Sequence, residues 1–184
     1  MPITVNIKEI ELWDHKNERF IRVKPCTLTL EHSLLSISKW ESIWHKPFLS
    51  QTEKKTNEEL VSYIKCMTIS PRDVDDKVYQ FMPRENLREI EAYISDPMSA
   101  TKINNSKVKD NHKNKDTVTS ELIYYWMMTA NIPTECEKWH INRLFNLINI
   151  YGRKNAPPKK MTRNDYSERS ALNAARLKAH NSRG

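Results

Sequence analysis

The sequence predicts a mainly helical α+β domain, with an N-terminal β-hairpin packed on about five helices and a basic C-terminal extension. Three observations predict it. Apolar and polar residues alternate from Ile3 to Leu30, a helical period replaces that alternation from Leu34 onward, and the whole net charge of +7 lies beyond Gly152.

Ile3, Val5 and Ile7 alternate with Thr4 and Asn6, and Ile10 and Leu12 continue the strand with a shift in phase. The polar run Asp14 to Glu18 is a turn. Phe20 to Val23, then Cys26, Leu28 and Leu30, form the returning strand, with Pro25 on an edge because it cannot donate to a ladder. Leu34, Ile37, Trp40 and Trp44 have helical spacing, and Pro47 ends that helix. Thr56 and Glu59 make a capping box for a second helix, whose stripe is Leu60, Ile64 and Met67 with Val61 beside it. Val78, Phe81 and Met82 predict a short helix after Pro71, and Leu87, Ile90 and Ile94 another that stops before Pro97.

Lys102 to Asp116 has almost nothing apolar to repay the entropy of ordering, which predicts a mobile internal loop. Thr117 or Thr119 then caps a helix carrying Leu122, Ile123, Trp126, Met127 and Ala130. Pro133 opens the next helix, which carries Cys136, Trp139, Ile141, Leu144, Phe145 and Ile148 and ends at Gly152 as its C-terminal cap. Pro157 and Pro158 begin a linker. Asp165 to Ala179 has good helix formers but only a thin stripe of Tyr166, Leu172 and Leu177, the pattern of a helix that folds against a partner. The expected core is Leu34, Ile37, Trp40, Leu60, Ile64, Ile90, Leu122, Trp126, Trp139, Leu144 and Ile148.

These elements give one globular domain over residues 1–152 and a basic linker and tail over 153–184. The first segment has 21 basic and 21 acidic side chains, the second nine and two. An electrostatic partner is therefore expected to meet the tail. Cys26, Cys66 and Cys136 are too few and too far apart for a disulfide framework, which suits a reducing compartment. No run approaches the roughly 18 apolar residues of a membrane span, and Lys8, Glu9 and Glu11 stand where a signal peptide would be apolar. Cytoplasmic residence without a membrane partner follows as the expectation.

Only Gly152 and Gly184 are glycines, so a P-loop, a dinucleotide fingerprint and a glycine-flanked nucleophile elbow are all missing. Cys136 and His140 fall four apart on the expected helix, half of a zinc site, but no second ligand pair accompanies them and no third group orients them for nucleophilic chemistry. Glu135 and Glu137 are read as first-turn acids that favour the helix dipole, and Glu41 as a carboxylate beside Trp40 on an amphipathic face, rather than as a catalytic pair. No catalytic residue, metal or cofactor is expected. Of the aromatics Trp40, Trp44, Tyr124, Tyr125, Trp126 and Trp139, the adjacent Tyr124 and Tyr125 cannot both face inward with Trp126. Tyr124, Tyr125 and the cations Arg153, Lys154, Lys159, Lys160 and Arg163 are thus the candidate partner-binding residues, with at most non-specific nucleic-acid binding by the tail.

Four stretches, IELWDHKNERFI, LTLEHSLLSISKWESIWHKPFL, ELIYYWMMTANIPTECEKWHINRLFNLINI and PPKKMTRNDYSERSALNAARLKAHNSRG, give nearly the full chain a resemblance to the tail assembly chaperones of long-tailed bacteriophages. The resemblance implies a non-enzymatic protein in the host cytoplasm. It would bind the tape-measure protein, keep it soluble, and assist tail-tube subunits in assembling around it, with self-association as a further expectation. The competing classes are a structural virion component, such as a head-tail connector or tail subunit, and a nucleic-acid-binding accessory protein.

Overall fold

Four N-terminal strands, β1 (Ile3–Ile7), β2 (Ile10–Asp14), β3 (Arg19–Val23) and β4 (Cys26–Leu30), form one antiparallel ladder in two pieces. The computed structural model describes residues 2–14, 18–50, 54–101, 117–156 and 163–179. Ile7 pairs with Cys26 and Ile10 with Val23, so the same register continues across the gap between the pieces. Pro25 lies in that gap, where its missing N–H would leave a ladder bond unmade. A short strand the sequence did not suggest, β5 (Thr68–Ser70), adds to β4 and makes the sheet order β1-β4-β5.

The α+β class is as expected, and helices carry most of the body: α1 (Leu34–Trp44), α2 (Asn57–Met67), α3 (Asp76–Gln80), α4 (Arg84–Ser95), α5 (Ser120–Thr129) and α6 (Ile141–Asn155). Ser33 caps α1 through a reciprocal box with Ser36, and His45 ends it in the left-handed region at φ 50°. Thr56 and Glu59 form the expected box on α2, with Glu59 N donating to Thr56 Oγ1 at 3.2 Å and Thr56 N to Glu59 Oε2 at 2.8 Å. Val5, Ile7, Leu28 and Leu30 of the sheet pack with Leu34, Ile37, Trp40, Tyr63, Met67, Ile123, Ile141 and Leu144 in one core.

Three expectations are corrected. Leu60 is 46% exposed, because α2 is seated through Tyr63, Ile64 and Met67 while the Trp40 indole donates to Glu59 O at 2.9 Å. On α5 the inward face is Ser120, Ile123 and Met127, and Leu122 and Trp126 are half-buried. The Glu41 carboxylate sets that rotation by accepting Ser120 N at 2.7 Å, while its other oxygen accepts Phe48 N at 2.8 Å. Finally, the single helix expected from Pro133 to Gly152 is broken. A 3-10 turn, Thr134–Lys138, is followed by extended Trp139, and α6 then runs past Gly152 to Asn155, so Gly152 is no cap. The break is held from outside: His140 bridges Ser33, and Ile141 N donates to His32 O at 2.9 Å. Trp139 and Ile148 are half-buried, Trp139 lying under the Arg143 guanidinium at 4.2 Å.

The chain divides into two compact units, Met1–Tyr151 and Gly152–Gly184. Within the second, α7 (Arg163–Ala179) leaves Tyr166, Leu172 and Leu177 exposed. Among the described residues, no helix is long and apolar enough to cross a membrane. The internal loop expected at 102–116 lies outside the described residues.

Candidate partner-binding surface

Two amphipathic helices and a short connector build a largely apolar concavity in the first unit. α2 contributes Leu60, Val61 and Ile64, and α4 contributes Leu87, Ile90 and Ile94 at i, i+3 and i+7, so that each presents a row of aliphatic side chains to the same space. α3 lies between them; Asp75 caps it by accepting Lys77 N at 3.0 Å. Its Tyr79 is anchored by donating to Thr68 Oγ1 at 3.0 Å. The result is a cleft of about 340 Å³, with Met82 and Tyr63 also in its wall and the polar groups Asn57, Gln80 and Glu91 among its lining. An aliphatic floor with few polar groups suits apolar side chains supplied by a partner.

Beside this cleft lies a buried polar cluster that fixes the helices. His32 Nδ1 is hydrogen-bonded to the Tyr63 hydroxyl, and His32 N donates to Tyr93 Oη at 3.2 Å. His140 Nδ1 accepts Asn142 N at 3.3 Å, which leaves Nε2 to donate to the Tyr93 carbonyl at 3.0 Å. The two imidazoles stand edge to face, 5.0 Å between centroids. Burial and the neighbouring His140 push His32 down to about 3, burial lowers His140, and burial raises the Tyr63 hydroxyl. The cluster is therefore neutral at physiological pH. Its chemistry is that of a satisfied structural network joining α1, α2, α4 and α6.

The residues singled out from the sequence are placed differently from one another. Tyr125 is exposed on α5 beside exposed Met128. Tyr124 is half-buried and donates to Glu137 Oε2 at 2.9 Å; burial, followed by that carboxylate, pushes its hydroxyl up to about 12. Arg153 and Lys154 are exposed in the last turn of α6, and Arg163 is the exposed first residue of α7. Lys159 and Lys160 lie outside the described residues. Tyr124 and Tyr125 belong to the first unit, and Arg153, Lys154 and Arg163 to the second.

Cys136 and His140 do not share a helical face, because the chain is extended at Trp139 between them. Burial raises the Cys136 thiol, with Glu135 adding to the effect. Among the described residues, no group of three or more His, Cys, Asp or Glu side chains could hold a metal ion. Sequence reasoning missed the cleft by reading Leu60 as core. The available signal was that α2 and α4 each carry an apolar row broader than its buried part, Ile64 and Ile90 entering the core while Leu60 is left exposed. No protein-family model, no curated protein and no solved structure matches the chain.

Proposed function

We propose that this chain is a non-enzymatic tail assembly chaperone of a long-tailed bacteriophage, which holds amphipathic helices of the tape-measure protein by their apolar faces. The observation that carries the reading is the α2/α3/α4 cleft, whose edge residue Leu60 is 46% exposed. A helix lying in such a groove inserts side chains spaced i, i+3 or i+4, and i+7, and leaves its polar face in water. That is what keeping a long helical client soluble requires. The basic segment 153–184 adds electrostatic contact with acidic stretches of the client or of tail-tube subunits, and the work is done in the host cytoplasm.

The test is co-expression of a tape-measure fragment with the wild-type chain and with Leu60→Lys and Ile94→Lys. At about 0.15 M salt exposed charges beyond roughly 8 Å are screened, so apolar contacts dominate what remains. The wild type is expected to keep the fragment soluble and to co-purify with it, and both substitutions to return it to the pellet. A fragment that is equally soluble with the variants, or insoluble with the wild type, overturns the reading. The exposed Trp13 and Phe20 on the β2–β3 hairpin favour a second reading, permanent packing as a virion component. Recovery of the chain from purified virions at the stoichiometry of a tail ring or connector would establish that alternative.

A further inference from the structure

A second cavity of about 740 Å³ opens where α1, the α2–β5 junction and the 3-10 turn meet. Three cations from separate elements line it: Lys39 on α1, Arg72 beyond β5, and Lys138 at the end of the 3-10 turn. Among the described residues, Glu31 supplies the single carboxylate of the lining. Burial raises the Glu31 carboxyl, while the N-terminal ammonium and then Lys138 and Lys39 pull it the other way. Among the described residues, no carboxylate makes an ion pair with Lys39, Arg72 or Lys138, whereas Lys46 and Lys65 are paired with Glu59 and Asp76. The wall is also apolar in part, through half-buried Leu35 and Ile69, which is 47% exposed.

We propose that this cavity is a binding site for an acidic, amphipathic protein segment, with partner carboxylates on Lys39, Arg72 and Lys138 and partner apolar side chains on Leu35 and Ile69. A body with no net charge overall thereby carries a local positive site, distinct from the basic tail. Nucleic acid fits it poorly. Regularly spaced phosphates would meet Glu31, and among the described residues the lining has no aromatic ring on which a base could stack. Carboxylates on a peptide can be spaced to leave Glu31 alone, and each contact with a lysine or arginine is a charge-assisted hydrogen bond. The site does not depend on which client fills the α2/α3/α4 cleft.

The experiment uses the full chain and a short fluorescent peptide alternating glutamate with leucine, followed by anisotropy at physiological salt. The comparators are a peptide with glutamine at every glutamate and a single-stranded oligonucleotide. All three cations are exposed, so charge reversal should leave the fold intact, and circular dichroism checks this. If a reversal does unfold the chain, Lys39→Gln with Lys138→Gln replaces it. The wild type is expected to bind the acidic peptide and not the glutamine form, and Lys39→Glu with Lys138→Glu to weaken binding about tenfold or more, equivalent to about 1.4 kcal/mol. Lys24→Glu and Arg88→Glu, at exposed cations that line neither cavity, should leave that affinity nearly unchanged, which separates the site from a general effect of charge. Equal binding of the glutamine peptide, or undiminished binding by the cavity variants, overturns the proposal. Tighter binding of the oligonucleotide that disappears in those same variants overturns it in favour of a phosphate site.

Discussion

β1 and β4 pair Ile3 with Leu30 through Ile7 with Cys26, and β2 and β3 continue that register from Ile10 with Val23 to Asp14 with Arg19, yet the two halves differ in what covers them. In the inner half Val5, Ile7, Leu28 and Leu30 are buried under helices, β5 extends the sheet, and Asn86 Nδ2 of α4 donates to Asn6 O at 3.1 Å. In the outer half the end next to the gap is seated, with Val23 buried in the core and Ile10 and Ile21 packed against it, while toward the turn Leu12 is 38%, Trp13 45% and Phe20 69% exposed. Toward the turn the outer strands rely on cross-strand pairs: Trp13 against Phe20 edge to face at 4.8 Å, and Arg22 with Glu11. Alternation in the sequence is similar in both halves. What buries a strand is the element laid over it, and a two-stranded hairpin without such a cover is marginal on its own.

The largest expected effect lies at the centre of the inner half. Leu28→Ala removes a fully buried side chain from the core and is expected to cost about 2 to 5 kcal/mol, whereas Leu12→Ala in the outer half should stay within about 0.5 kcal/mol. Urea denaturation of the two variants measures both. Similar losses would break the comparison, by showing that the outer half is as well covered as the inner.

A second effect follows from His32, two residues beyond β4, which ties the end of the inner half to Tyr63 and Tyr93. Its folded-state value, about 3, lies below the ordinary 6.5, and His140 is displaced in the same direction. The unfolded chain therefore binds more protons, so stability rises with pH through this window. The contribution is complete above about 6.5 and is lost as the pH falls toward about 3, at no more than about 1.4 kcal/mol per pH unit for each histidine. Between about pH 6.5 and 5 most carboxylates remain ionised, so the slope there reports the histidines. Urea midpoints should fall across that interval in the wild type and fall less in His32→Asn; equal slopes would remove His32 from the account.

How much of this could be read beforehand depended on whether the cause was local. Thr56 with Glu59, Thr119, Pro47 and Pro97 mark helix ends through their own backbone chemistry, and α2, α5, α1 and α4 begin or end beside them. The rotation of α5 was not legible, because the Glu41 carboxylate that fixes it comes from 79 residues away. The break at Trp139 and His140 depends on the bridge to Ser33, and β5 is only three residues long, too short to show a period. The two cavities were hidden for the same reason. Lys39, Arg72 and Lys138 are unremarkable charges until β5 and the 3-10 turn bring them to one space.

The smallest effect is the most specific to the outer half. Trp13 and Phe20 are directly opposite in the β2–β3 register, and such cross-strand pairs contribute roughly 0.2 to 1 kcal/mol. A double-mutant cycle with Trp13→Ala and Phe20→Ala should return a coupling in that range, because the rings touch each other more than they touch the core. The consequence is also expected to be local. Amide exchange should quicken in β2 and β3 around Trp13 and Phe20, where opening then requires little beyond the local ladder, and remain unchanged in β1 and β4, whose amides open with the core. A coupling of several kcal/mol, or loss of protection in β1 and β4, would mean that the two halves open together, and the gap at Pro25 would not separate them energetically.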